Sequence, residues 1–265
     1  MHVKDKMIVV TGGANGIGAA MCRRFNQEGA RAVVVADLDE QHGRQVAEEI
    51  GGLALKTDVS VEADLVRLVH EAEKQFGPID VFCSNAGVAD QDEPDGTAAS
   101  CSNENWLKAW QINVMAHVYA ARAVLPGMIA RKQGYLLNTV SAAGLLNQIG
   151  AASYSTTKHA AIGFAEALAI THGDDGIKVS VVCPQAVATQ MLPDFDDGGP
   201  QGLDGILTPE DVADSIVAGL AEESFLILPH ERVSLYMQRK ASDYDRWLNG
   251  MRRLRSSFIS TPPGK

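Results

Sequence analysis

A doubly wound α/β fold on a mostly parallel seven-stranded sheet is what this chain predicts, and three observations carry the reading. Seven short β-branched or apolar runs recur along the 265 residues, helical patterns separate them, and nothing repeats at a fixed period. Strands alternating with helices bury both faces of a parallel sheet, which gives a Rossmann-type architecture with helices on either side.

The strands are expected at "MIVVT" (7), "RAVVVAD" (31), "LALKTD" (53), "DVFCSN" (80), "YLLNTVS" (135), "KVSVVCP" (178) and "FLILP" (225). One intervening helix can be checked by its period: Val61, Leu65, Leu68, Val69, Ala72 and Phe76 share a face, with Ser60 as the expected cap and Gly77-Pro78 as the stop. Two stretches, 88–103 and 190–206, are rich in turn residues and read as long loops. The second carries Met191, Leu192 and Phe195 between its glycines and prolines, a composition expected of a mobile lid. Beyond residue 230 apolar side chains recur every three or four positions, from Val233 to Phe258, which predicts an amphipathic helical extension. The domain organisation is therefore 1–230 for the α/β domain and 231–265 for the extension.

Composition removes several function classes. The net charge of −10 disfavours nucleic acid as a partner, because phosphate binding needs excess lysine and arginine. No apolar run reaches the ~18 residues of a membrane span, and the chain enters its first strand directly, so no membrane association and a cytoplasmic location are expected. Cys22, Cys83, Cys101 and Cys183 show no metal or disulfide spacing, and "HEAEK" at 70 lacks the second histidine of a zinc helix, so no metal is expected. Charge is uneven: from residue 230 onward eight Lys/Arg face three acids, a local +5 that leaves −15 on the rest. A basic surface helix, or one that docks on the domain or on a neighbouring subunit, accounts for this.

"TGGANGIG" at 11–18 follows the first strand and opens a helix. Glycines at 12, 16 and 18 permit a tight turn, approach to a pyrophosphate and close helix packing, while the helix start offers free N–H groups. The spacing is G-x-x-x-G-x-G, and without a Gly-Lys-Ser/Thr ending it is no ATP loop. Asp37 closes the second strand 19 residues after Gly18, where a carboxylate accepts from an adenosine ribose and repels a 2′-phosphate. Neither Asn15 nor Leu38 supplies a cation for that phosphate, so NAD is the expected cofactor, not NADP.

In order along the chain stand "TGGANGIG", Asp37, "DV" at 58, "NAG" at 85, Asn113, Ser141, "YSTTK" at 154 and a Pro-x-x-x-x-Thr run from Pro184 to Thr189. With this set the sequence resembles the short-chain dehydrogenase/reductase family over roughly residues 5–230. The resemblance implies a cofactor site made of Gly12, Asn15, Gly16, Ile17, Gly18, Asp37, Leu38, Asp58, Val59, Asn85, Ala86, Gly87, Tyr154, Lys158, Pro184, Val187 and Thr189. Asp58 and Val59 would contact adenine, and Val187 and Thr189 would hold the nicotinamide amide. It also implies a catalytic set of Asn113, Ser141, Tyr154 and Lys158, with Asn113 anchoring a water that passes the proton to solvent, and a homotetramer.

The residues support that chemistry independently. A tyrosine with a pKa near ~10 is a poor proton carrier at neutral pH, and a nearby ammonium is expected to bring it down. Tyr154 and Lys158 lie one helical turn apart and share a face. Ser141 can hydrogen-bond the substrate oxygen, and it lacks the G-x-S-x-G elbow of a hydrolase. His159 lies beside Lys158 but outside the family set. The family has glycine after the proline of the sixth strand, whereas this chain has Gln185, which either contacts substrate or turns outward.

The expected activity is hydride transfer between NAD and a neutral, mainly apolar secondary alcohol or ketone, with Tyr154 as the acid-base group. The alternatives are a sugar or polyol dehydrogenase and, from another class, a non-catalytic NAD sensor. Ala143, Gln185, Met191 and Leu192 are the expected substrate contacts. No Lys or Arg occurs from residue 85 to 107 or between Lys178 and Arg232, so neutral small molecules are expected to outperform charged analogues unless the tail's arginines reach the pocket.

Overall fold

Most strand residues of this molecule are buried, and the computed structural model shows why: helices cover both faces of the sheet. The structure describes residues 1–93, 97–192 and 199–259. Strands β1 (Met7–Thr11), β2 (Ala32–Asp37), β3 (Leu53–Lys56), β4 (Val81–Ser84), β5 (Gly134–Thr139), β6 (Ile177–Val182) and β7 (Leu226–Ile227) form one sheet of order β3-β2-β1-β4-β5-β6-β7. All pairings are parallel, so the sheet is wholly parallel instead of mostly so. The chain order reverses between β1 and β4, and the crevice at that switch point, outside the carboxyl ends of the strands, is where such sheets bind ligands.

Because side chains alternate across a strand, neighbours enter opposite core layers. Val9, Val34, Phe82 and Leu136 pack in one layer with helices α3 (Glu62–Phe76), α5 (Ala116–Ala130) and α7 (Ala152–His172). Val10, Val35, Cys83 and Leu137 pack in the other with α1 (Gly16–Gln27), α2 (Glu40–Ile50) and α8 (Pro209–Glu222). All four cysteines are free and buried.

Two local expectations need correction. Helix α3 buries Leu65, Leu68, Val69 and Ala72, but its cap is Val61, which is exposed, and not Ser60. The Ser60 hydroxyl instead donates to Asp58 Oδ1 at 2.6 Å, so it cannot serve the helix start. Beyond residue 230 the single amphipathic pattern divides into α9 (Arg232–Ser242) and α10 (Tyr244–Ile259). Asp243 has extended backbone at the break and its carboxylate accepts from the Arg246 N–H at 2.9 Å, a cap that starts the second helix.

Helix α4 (Asn103–Trp110) runs through a π-helical turn, Gln111–Met115, into α5. The stretch Asn103–Ala130 is apolar enough by length and composition to cross a bilayer. Here Ala116, Ala120, Ala121, Val124 and Met128 bury one face of it against the sheet and α3, the role of a core helix.

Candidate active site

The segments following β1, β4, β5 and β6 enclose a cleft of about 1900 Å³. This exceeds the ~300–1,000 Å³ of an ordinary small-molecule pocket and leaves room for a dinucleotide beside a second ligand.

One wall fits a dinucleotide. Gly12 has φ +65°, and a Cβ there would lie 2.8 Å from Ala86 Cα, so only glycine lets the first turn meet the end of β4. At Gly18 a Cβ would sit 1.9 Å from the Gly12 carbonyl oxygen, so the helix can approach the turn only without one. Asn85 ties the two strand ends together, donating through Nδ2 to the carbonyls of Thr11 (3.1 Å) and Gly12 (3.2 Å). Asp37 Oδ2 accepts from the Ala14 N–H and Oδ1 from the Asp39 N–H, both at 2.9 Å, which holds the carboxylate at the cleft with lone pairs left for ribose hydroxyls.

Asn15, Gly16, Ile17, Ala86, Gly87, Pro184, Val187 and Thr189 also line the cleft. Four expected cofactor contacts are not part of its lining. Gly18 packs inside α1, Leu38 is exposed on the surface, Val59 is buried in the core, and Asp58 is engaged by the backbone N–H and hydroxyl of Ser60.

The other wall brings Ser141, Tyr154 and Lys158 together. Ser141 follows β5 by two residues; its Oγ accepts from the Ala143 N–H at 3.0 Å and lies 3.5 Å from the Pro184 carbonyl. Tyr154 and Lys158 occupy the first turns of α7, with the ammonium 5.6 Å from the phenol ring centroid. The expected electrostatics are reversed. Burial raises the Tyr154 pKa, partly offset by its hydrogen bond with Ser141, and burial lowers that of Lys158 to about 8. The physical reason is that Lys158 Nζ donates to the Thr139 carbonyl at 3.2 Å, so no ion pair with the phenol compensates desolvation of either group.

Asn113 is fully buried and lies behind the cleft lining. Its Oδ1 accepts from the Val88 N–H at 2.9 Å, and its Nδ2 donates to the Val88 carbonyl (2.9 Å) and to Thr157 Oγ1 (3.1 Å). The side chain thereby clamps the loop after β4 to α7. The π-helical turn that carries Asn113 is a feature sequence periodicity missed, and such turns recur at functional sites. A Cβ on Gly87 would lie 3.2 Å from Asn113 Oδ1 and 3.3 Å from Lys158 Nζ, so both groups stand beside the same backbone.

Ala143, Gln185, Met191 and Leu192 line the substrate side. The Gln185 N–H donates to His230 Nδ1 at 3.1 Å, a buried histidine that sequence reasoning passed over. Phe195 and the rest of 193–198, the centre of the expected lid, lie outside the described residues.

The extension docks on the domain, one of the placements expected for it. Val233, Tyr236, Met237 and Trp247 pack on Ala142, Leu145, Leu146 and Leu228. Asp204 Oδ1 accepts from the Tyr236 hydroxyl and the Arg232 guanidinium, each at 2.9 Å, and Lys240 Nζ donates to the Leu145 carbonyl at 2.7 Å. These contacts lay α9 and α10 along the mouth of the cleft, where Arg239, Arg246, Arg252 and Arg253 join its lining. Basic spacing was visible in the sequence, but no local pattern says which surface a terminal helix will cover.

The model of the short chain dehydrogenase family matches residues 6–198. Meso-2,3-butanediol dehydrogenase of Serratia marcescens is 32% identical over 253 residues, covering 94% of this chain and 92% of that protein. A 1-deoxy-11-beta-hydroxypentalenate dehydrogenase of Streptomyces exfoliatus is 32% identical over 251 residues, covering 92% and 90%. Among solved structures, a 3-ketoacyl-(acyl-carrier-protein) reductase from Brucella melitensis complexed with NADH superposes with a TM-score of 0.78 at 28% identity, covering 85% of this chain and 97% of that one. A short chain dehydrogenase/reductase from Burkholderia phymatum in complex with NAD shares the fold, with a TM-score of 0.82 at 24% identity over 92% and 96% of the chains. A switch-point crevice with a glycine turn on one side and a serine, tyrosine and lysine on the other is thus accompanied by similarity along nearly the whole chain, and the protein belongs to the short-chain dehydrogenase family.

Proposed function

We propose that this protein is an NAD-dependent dehydrogenase or reductase that interconverts a secondary alcohol and its ketone. The observation that carries the reading is the convergence of Ser141, Tyr154 and Lys158 on the cleft wall facing the glycine turn and Asp37. NAD, when bound, supplies the hydride acceptor. Tyr154 takes the hydroxyl proton in oxidation and returns it in reduction, and the Ser141 hydroxyl donates to the substrate oxygen. Lys158 holds the nicotinamide ribose and, when charged, favours the phenolate. Asn113 positions the loop after β4 beside Lys158. Ala143, Leu146, Met191 and Leu192 give the reacting end of the substrate a mainly apolar, neutral surround.

The catalytic unit spans 1–230, with 231–265 as an extension that shapes the pocket. A homotetramer is supported by exposed apolar side chains on outer helices, Val66, Leu107, Trp110 and Ile170. Four unpaired thiols accord with a cytoplasmic location, and the −10 net charge and the packing of α5 in the core argue against nucleic acid and membrane as partners.

Cofactor choice tests the reading at Asp37. The wild type is expected to turn over a panel of secondary alcohols with NAD at a kcat/KM at least about tenfold above that with NADP, since a 2′-phosphate would meet this carboxylate. Replacing Asp37→Ser together with Leu38→Arg should move the preference toward NADP. Equal values for the two cofactors in the wild type would contradict the assignment, and NAD binding without turnover of any alcohol or ketone would favour the sensor reading.

A further inference from the structure

The reacting end of the cleft is apolar, but its mouth is not. Helix α10 has no buried residue from 244 to 258, and yet Trp247, Met251, Leu254 and Phe258 line the cleft from it. Their spacing of three or four places them on one face of the helix. Flanking that seam are Arg246, Arg252 and Arg253, all exposed to the cleft. None of the three makes an ion pair among the described residues.

Among the described residues six acids line the cleft: Asp37 ends β2, Asp90 and Glu93 follow β4, and the other three already have partners. Asp204 accepts from Tyr236 and Arg232, Asp243 caps α10, and Asp92 accepts from the Ala152 N–H at 3.0 Å. The cofactor does not account for the guanidinium groups either. Its phosphates belong at the glycine turn and the start of α1, whereas the extension is anchored on Leu145, Leu146 and Asp204, in the segments after β5 and β6 that form the substrate side.

We propose that Arg246, Arg252 and Arg253 bind an anionic group, a carboxylate or a phosphate, carried at the far end of an apolar substrate whose secondary alcohol or ketone lies at Tyr154. This rests on the proposed dehydrogenase reading for where the substrate reacts, and it changes what the loops alone suggest. A neutral reacting end and a charged remote end are both served, because the cation comes from the extension. An apolar seam bordered by planar donors suits a ligand that is greasy along its length and anionic at its tip. At about 1900 Å³ the cleft is well above the ~300–1,000 Å³ of an ordinary small-molecule pocket.

The test measures binding, so it does not depend on turnover. Octanoate and its neutral counterpart octanamide are titrated calorimetrically into the NAD-saturated protein, at low and high salt. Octanoate should bind roughly tenfold more tightly than octanamide, an effect of the size expected for charge-assisted hydrogen bonds to partly solvated groups, and salt should erode the difference. In the Arg246→Gln/Arg252→Gln/Arg253→Gln protein the preference should vanish while octanamide and NAD bind as before. Should the triple variant fail to fold, the wild type decides alone: a preference that high salt leaves intact would overturn the proposal, and one that salt erodes would support it.

Equal binding in the wild type, as when the chain's own acids hold the guanidinium groups, would overturn the proposal. So would a preference that survives the three substitutions, or a triple variant that loses NAD affinity, which would assign the cations to the cofactor. Preferential octanoate binding by a protein that oxidises no alcohol would refute the dehydrogenase reading and not the anion site. Varying the anion with octyl phosphate then separates the two chemistries.

Discussion

Tyr154→Phe should lower kcat by about 10²–10⁴-fold, the range a positioned acid-base group contributes. The same variant should bind NAD within about twofold of the wild type, because the phenyl ring keeps its packing and the cradle of Gly12, Gly18 and Asp37 is untouched. Loss of the hydrogen bond with Ser141 should cost only about 1 kcal/mol of stability. Since burial raises the phenol's pKa, alcohol oxidation in the wild type should accelerate as pH rises and ketone reduction should be favoured at lower pH. Stopped-flow single turnovers with equilibrium NAD titration separate the two effects; a Phe variant that keeps a tenth or more of wild-type kcat, roughly within 1.4 kcal/mol of the full barrier reduction, removes Tyr154 from its role.

Lys158→Met is expected to abolish turnover and yet stabilise the protein measured without NAD. The buried ammonium titrates at about 8 in the folded state against an ordinary 10.5, so the unfolded chain binds more protons between those values. The burial penalty is therefore fully present below pH 8 and is relieved as pH climbs toward 10.5. It amounts to about 3 kcal/mol from the size of the shift. Losing the bond to the Thr139 carbonyl gives back about 1 kcal/mol, so a net gain of about 2 kcal/mol should raise Tm by about 4–8 °C at pH 7. The gap between the two proteins should narrow as pH rises through 8 to 10, and the upward Tm shift caused by NAD should shrink in the variant. A Lys158→Met protein that melts below the wild type at pH 7 would contradict the desolvation account.

These expectations show how far the sequence reaches. The strands were legible because a parallel sheet covered on both faces demands continuous apolar runs, as in "RAVVVAD", and Asp37 was legible because its distance from the glycine turn is fixed by one strand-helix-strand unit. Ser60 misled because a hydroxyl that can cap a helix can also satisfy Asp58, and only the backbone path decides. The direction of the Tyr154 and Lys158 shifts was illegible, since spacing puts the two on one face but does not reveal how much water surrounds them or that Thr139 would take the ammonium. The π-helical turn at Asn113 leaves no mark on a periodicity of three and four. Placement of α9 and α10 depended on Val233 and Trp247 finding Ala142 and Leu146, contacts between segments about a hundred residues apart, on which local pattern is silent.

The central claim is that this protein moves a hydride between a secondary carbinol carbon and NAD, with Tyr154 handling the proton. Its most direct test is a mass-spectrometric one: secondary alcohols deuterated at the carbinol carbon are incubated with the protein and NAD, and the reduced cofactor is examined for the label. The account predicts deuterium in the cofactor, ketone in equal amount, and neither with the Tyr154→Phe protein. Unlabelled reduced cofactor, or ketone formed without it, would contradict direct transfer, and label arriving at full rate in the Phe variant would contradict the role of Tyr154.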